Sequence, residues 1–134
     1  MRRTHYLTLS LCVLLFALTG CQFTQSAFTK TAGNAGSAFA AASTTLTYAH
    51  TGKLTVAYTK ASFESYQSEL SGIDSQLASQ QGSPDTHTVQ HLLSLYKVAM
   101  QAINQPCLET TCDWHAQVSA LNQASSAFLK AGGQ

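Results

Sequence analysis

Residues 28–49, FTKTAGNAGSAFAAASTTLTYA, carry the pattern that decides the fold. Apolar side chains recur here at alternating steps of four and three residues, which places them on one face of an α-helix. The members of this series are Phe28, Ala32, Ala35, Phe39, Ala42, Leu46 and Ala49. Gly33 and Gly36 weaken the helix by roughly 1 kcal/mol each relative to alanine, but their lack of bulk lets a neighbouring helix approach. The stretch therefore predicts a long amphipathic helix that a neighbouring helix could approach closely at its glycines.

Three further apolar series with helical spacing follow, separated by Thr51-Gly52, by residues 80–85 and by Pro106. They consist of Val56, Phe63, Tyr66, Leu70, Ile73 and Leu77, then Val89, Leu92, Tyr96, Ala99 and Ile103, then Trp114, Val118, Leu121, Ser125 and Phe128. Gly72 lies inside the second-helix pattern and predicts a kink or a local weakness there. The sequence thus predicts four amphipathic helices.

Two helix starts can be predicted from capping signals. Ser83 followed by Pro84 has the order of an N-cap and a first helical residue. Thr110 with Asp113 three residues later is similar to a capping box. We therefore expect the third and fourth helices to begin at these two places.

Four helices joined by short loops favour an all-α fold, an antiparallel up-and-down four-helix bundle. A three-helix bundle with a flexible N-terminal arm is the alternative. The helical domain is expected to span residues 32–131, and residues 21–31 either serve as a tether or continue the first helix. The apolar pattern does not decide between these two.

The first residues have the pattern of an export signal. Arg2 and Arg3 precede an apolar run over residues 7–18, which is shorter than the about 20 residues that cross a hydrocarbon core. The run ends in Leu18-Thr19-Gly20-Cys21, which resembles the lipobox of bacterial lipoprotein signals. The resemblance implies that residues 1–20 are removed and that the Cys21 sulfur carries a diacylglyceryl group.

The same resemblance implies a location. The domain would lie outside the cytoplasm, anchored to the cell membrane or the outer membrane through Cys21, with the membrane as its partner. Gln22 follows the lipidated cysteine, and in bacteria with two membranes the absence of Asp there resembles outer-membrane sorting. The sequence does not identify the type of envelope.

Composition argues against two classes of partner. The net charge is +1, and without Arg2 and Arg3 five lysines remain against six carboxylates. Nucleic-acid binding calls for clustered basic residues, and anionic lipid headgroups call for a polybasic patch; the chain has neither. Charged residues make up 10% of the chain, below the roughly 25% typical of globular domains.

Two cysteines remain after Cys21. Cys107 and Cys112 are five residues apart, and outside the cytoplasm such a pair predicts a disulfide. Closing so short a loop contributes roughly 2 kcal/mol by the chain-entropy model. Cys12 lies in the segment that is removed and needs no role.

His87 and His91 are the candidate metal ligands. Four residues apart on a helix, they share a face and suit Zn²⁺ or Cu²⁺. His115 is not expected to join them, because a helix rising about 1.5 Å per residue puts His87 roughly 30 Å from Cys107. No other cofactor is expected, and the alternative for the two imidazoles is a solvated first turn.

The remaining side chains point to binding rather than catalysis. No Gly-x-Ser-x-Gly elbow or phosphate-binding glycine loop is present in the sequence. Trp114 is expected to pack under the disulfide loop, and Tyr48, Tyr58, Tyr66 and Tyr96 in the core with hydroxyls at its rim.

The function expected is a lipid-anchored binding or structural module, acting on a protein partner or by self-association, and not an enzyme. The alternative is a metal-handling lipoprotein that uses His87 and His91.

Overall fold

The computed structural model describes residues 25–80 and 82–134. These residues form five helices and no strand, so the predicted all-α helical bundle is confirmed. The helices are α1 (Ala27–His50), α2 (Val56–Leu70), α3 (Ile73–Ser79), α4 (Thr86–Asn104) and α5 (Trp114–Ala131). Helices α1 and α4 each pack against α2, α3 and α5. Cys21 and the signal segment lie outside the described residues.

Helix α1 begins earlier than the expected domain boundary at residue 32. Ser26 is its N-cap, and Phe28 in its first turn is only 2% exposed. Residues 27–31 are therefore part of the first helix and not a tether, a choice that the apolar pattern does not decide. The alternative of a three-helix bundle with a flexible N-terminal arm is wrong, because α1 buries residues along its whole length from Phe28 to Leu46.

Each of the four longer helices begins with a side chain that accepts a hydrogen bond from the backbone N–H three residues later. These N-caps are Ser26, Thr55, Asp85 and Asp113, with distances of 3.1, 3.2, 3.0 and 2.9 Å. The predicted starts at Ser83 and Thr110 were therefore wrong. In both segments an aspartate lies nearer the helix, and its carboxylate accepts from the orphan N–H groups and interacts favourably with the helix dipole.

The predicted weakness at Gly72 is a complete break between α2 and α3. Ser71 is extended and Gly72 has a φ of 77°, a left-handed conformation that glycine adopts without steric cost. The Tyr96 hydroxyl donates to the Leu70 carbonyl at 2.8 Å, so a carbonyl freed at the end of α2 gains a partner.

The core centres on Phe39 of α1. Its ring meets the rings of Phe128 and Tyr96 edge to face, with centroids 5.6 and 6.2 Å apart, an arrangement that aromatic pairs prefer. Other large, fully buried side chains are Phe28, Leu46, Leu70, Leu77, Leu92, Ile103 and Leu121. One continuous core therefore joins all five helices.

The glycines of α1 lie against α5, as the sequence predicted. A Cβ on Gly36 would lie 2.7 Å from the backbone nitrogen of Leu129, and a Cβ on Gly132 would lie 2.6 Å from the Cα of Gly33. Real Cβ atoms do not approach other atoms this closely. The two backbones are in direct contact because glycine leaves room there.

Contacts between loops and helix ends define two ends of the bundle. At the Ser26 end, Gly33 lies beside Gly132, and Gly82 packs so tightly against Ser26 that a Cβ would overlap it. At the His50 end, His50 contacts Cys107 and Trp114. The start of α1 and the end of α5 thus share one end, and the link from α4 to α5 lies at the other.

Candidate functional site

The disulfide predicted between Cys107 and Cys112 is present. It closes the loop that joins α4 to α5, with the two Cα atoms 5.8 Å apart. The Cys107 side is buried, at 3% exposure, whereas Cys112 is exposed. The disulfide therefore fixes the link between the two helices at the His50 end.

Gln117 holds the same loop from the first turns of α5. Its Oε1 accepts from the Cys107 N–H at 2.8 Å, and its Nε2 donates to the Gln105 carbonyl at 3.0 Å. Both backbone groups lie just beyond the end of α4, where helical partners run out. This role could not be predicted from the sequence, because nothing in the pattern distinguishes Gln117 from the other glutamines.

Three aromatic rings stack beside the disulfide loop. Trp114 stacks on both His50 and His115, with ring centroids 4.5 and 3.7 Å away and interplanar angles of 4° and 29°. His50 Nε2 lies 2.6 Å from the Cys107 carbonyl oxygen, and since a carbonyl can only accept, Nε2 carries the proton. Trp114 is half-buried in this stack. The stack ties the end of α1 to the loop and to α5.

His87 and His91 are exposed side chains in the first turns of α4. His115 lines the same α4–α5 groove as His91. It stacks on Trp114 at the His50 end, as His50 does, whereas α4 begins close to Gly82 at the Ser26 end. Within the described ranges, no group of three or more His, Cys, Asp or Glu side chains is placed to hold a metal. His87 and His91 are thus two exposed histidines four residues apart on α4.

An open groove of about 750 Å³ lies between α4 and α5. His91 and Leu95 line it from α4, and Val118, Asn122 and Ala127 are among the residues that line it from α5. A hollow of about 280 Å³ adjoins it, and a third of about 200 Å³ adjoins the second; these two share the exposed Val98. This groove could not be predicted from the sequence, because Val98 and most of the α5 wall belong to no apolar series.

A second exposed apolar area surrounds the turn between α1 and α2. Tyr48, Val56 and Tyr58 are 42%, 55% and 60% exposed, and the Lys53 ammonium lies 4.7 Å from the centre of the Tyr48 ring. Such a cation–π contact contributes about 0.5–1 kcal/mol at an exposed site. The expectation of core packing is therefore wrong for Tyr48 and Tyr58.

The other two tyrosines agree with that expectation. Tyr96 is buried and donates to the Leu70 carbonyl, and the Tyr66 hydroxyl lies 3.0 Å from the Thr45 hydroxyl. Burial raises the pKa of Tyr96, and the negative charge of Asp74 adds to this. Tyr96 therefore acts as a neutral donor inside the bundle.

One carboxylate is shifted in the opposite direction. The backbone N–H and the hydroxyl of Thr88 both donate to Asp85, at 3.0 Å each, and these bonds lower the pKa of Asp85. Hydrogen bonds to the charged form have this effect. The charged cap thereby stabilises the first turn of α4, beside His87.

Comparison with known proteins assigns no relative to this chain. No family model, no curated protein and no solved structure matches it. Within the residues that the structure describes, no helix is long and apolar enough to span a membrane.

Proposed function

We propose that this chain is a lipid-anchored helical module of the bacterial cell envelope that binds a protein partner or itself and catalyses no reaction. The observation that carries the proposal is the sequence Leu18-Thr19-Gly20-Cys21 at the end of an apolar run. A cysteine in this position resembles the lipidated residue of bacterial lipoproteins. The anchor would lie in the cell membrane or the outer membrane, with the domain outside the cytoplasm.

The position of α1 supports an anchor close to the domain. Helix α1 begins at Ala27, and its core side chains begin at Phe28. Five residues separate Cys21 from Ala27 in the sequence, and five extended residues reach at most about 18 Å. The Ser26 end of the bundle would therefore be held near the bilayer surface, and the His50 end would be the more remote.

The arrangement of the helices that we propose is an antiparallel up-and-down bundle whose second helix is divided at Gly72. The contacts of Gly33 with Gly132, and of His50 with Trp114, support opposite directions for α1 and α5. The hydrogen bond from Tyr96 to Leu70 supports the pairing of α2 with α4. This arrangement leaves the faces of α4 and α5 open along the side of the bundle.

Metabolic labelling with palmitate tests the anchor. The full chain expressed in a bacterium should take up label, Cys21→Ser should abolish it, and Cys12→Ser should retain it because Cys12 lies in the segment that is removed. The Cys12 variant is the matched control for loss of any one thiol. Persistent label on the Cys21→Ser chain would reject the lipid anchor.

The alternative function is metal handling through His87 and His91, two exposed imidazoles that share a helix face. Native mass spectrometry of the oxidised chain with and without a chelator tests it. A stoichiometric Zn²⁺ or Cu²⁺ adduct that is lost on chelation and absent from His87→Ala would support this alternative. A bare chain after dialysis against either metal would remove it.

A further inference from the structure

The surface between α4 and α5 has two unlike walls. At the central hollow of this surface, the α4 wall is bulky and apolar, and the α5 wall is made of small or polar uncharged side chains. The lining residues of the central hollow are Leu95, Val98, Ala116, Ser119, Ala120 and Gln123. Val98 is 53% exposed in the single chain, so this surface presents an apolar ridge next to a trough.

The ridge and the trough lie at the same height along the bundle. Val98 lines two adjoining hollows together with Ala116 and Ala120, so these residues are level with one another. A two-fold axis parallel to the bundle keeps each residue at its own height and places α4 of one copy opposite α5 of the other. Val98 of each copy would then face Ala116 and Ala120 of the other, and the surface is complementary to itself.

We propose that a second copy of this chain docks in this groove and that the protein is a homodimer with its two-fold axis along the bundle. The charge pattern favours this occupant. Near a two-fold axis a charged side chain meets its own equivalent, and like charges in contact are unfavourable. None of the six residues that line the central hollow is ionisable; the ionisable side chains that line the large groove, His91, His115 and Lys130, are not among them.

The inference also rests on the proposed lipid anchor, which selects this axis. Because the axis runs along the bundle, both copies direct their Ser26 ends toward the same side. Two chains lipidated in one membrane can adopt this arrangement, whereas a perpendicular axis would direct the two anchors away from each other. Anchoring also raises the effective concentration of one copy around the other.

The α4–α5 surface has the size expected of a dimer that depends on membrane anchoring to raise its effective concentration. Helices of 19 and 18 residues are about 28 Å long and pack about 10 Å apart. Two such helices side by side present roughly 500–600 Å² per copy, slightly below the about 800 Å² per partner of a standard interface. The test is therefore made with the full chain in its membrane.

Two differently tagged copies of the full chain, expressed together in a bacterium, provide the experiment. A photo-crosslinking amino acid replaces Val98 in one set of cells and Val56 in another. Val56 is the matched control, since it is also a valine and is 55% exposed. A crosslinked product with both tags and twice the mass of one chain is expected from position 98 and not from position 56.

Substitutions in the groove, measured by co-purification of the two tags, provide the second readout. Val98→Glu should weaken co-purification of the two tags roughly 30-fold or more, because it places an unpaired charge in the interface, and Val56→Glu should leave it unchanged. Ser119→Tyr, which fills the trough from an exposed position, should have the same effect as Val98→Glu. Ser119→Tyr tests the dimer on its own if Val98→Glu does not fold.

Every other pattern overturns the proposal. Absence of a doubly tagged product, crosslinks from position 56 alone or from both positions, or a crosslink from position 98 to a protein of another mass would each do so. Palmitate labelling of the same cells separates this failure from failure of the anchor. A labelled chain without the dimer rejects only the dimer, and an unlabelled chain with the crosslinked dimer rejects only the anchor.

Discussion

Replacing Gly36 by alanine should destabilise the bundle, although alanine favours a helix more than glycine does. Gly33 lies in the same helix one turn earlier and provides the matched control. Both substitutions gain about 0.8–1.0 kcal/mol of helix propensity. They differ in what the added methyl group meets, so the difference between the two variants measures the contact of α1 with α5.

The geometry sets the size of that difference. At position 36 the methyl carbon would lie 2.7 Å from the Leu129 backbone nitrogen, and a backbone atom cannot rotate away. At position 33 the nearest atom is the side-chain nitrogen of Gln134 at 3.2 Å, the end of a flexible side chain. Overpacking typically costs about 1–3 kcal/mol. We therefore expect Gly36→Ala to be less stable than Gly33→Ala by about 1–3 kcal/mol, with Gly33→Ala itself more stable than the unmodified chain.

Urea unfolding of residues 22–134, followed by far-ultraviolet circular dichroism, measures this. The Cys107–Cys112 disulfide is left intact. The slope of the free energy of unfolding against urea concentration must be the same in both variants, so that a difference in urea midpoint reports a difference in stability. Equal midpoints for the two alanine variants, or a higher midpoint for Gly36→Ala, would refute the direct backbone contact between α1 and α5.

Three further predictions concern the described contacts. Tyr96→Phe should cost about 1–3 kcal/mol of unfolding free energy, because the Leu70 carbonyl loses its donor; an unchanged urea midpoint would contradict this. Reduction of Cys107–Cys112 should cost about 2 kcal/mol, measured as a lower urea midpoint in dithiothreitol, and no shift would contradict the stabilising role. The pKa of Asp85 is lowered in the folded chain, so its contribution is present above about pH 4, the usual value for Asp. This contribution is lost as the pH falls through the lowered pKa. The Tm of the unmodified chain should therefore fall in that range relative to the Tm of Asp85→Asn, which still caps the helix. Parallel curves of Tm against pH would contradict this prediction.

The helices could be predicted because the apolar repeat of the sequence matches the period of an α-helix. The same pattern predicted the close approach at Gly33 and Gly36 and the weakness at Gly72, since glycine has a direct effect on backbone packing. Helix starts were less predictable. Near Pro84 both a serine and an aspartate can cap, and the choice depends on which oxygen reaches the N–H groups of the folded turn.

The candidate surfaces depend on contacts that sequence spacing does not report. Val56 is the first member of an apolar series, but it is also the first residue of its helix and remains exposed. Trp114 stacks on His50, which is distant in the sequence. Predicting the α4–α5 groove from the sequence would require knowing which faces of the two helices meet. Patterns within one helix could therefore predict elements, but not the surfaces between them.

Helix α3 has a consequence for the dynamics of the bundle. It has seven residues and buries Ile73 and Leu77, whereas α1 has 24 residues and buries eleven. Helices shorter than about 12–15 residues are marginal without tertiary packing, and segments with little burial open at low free energy. Amide hydrogens of α3 should therefore exchange with solvent through local opening, while those at the centre of α1 should exchange through global unfolding.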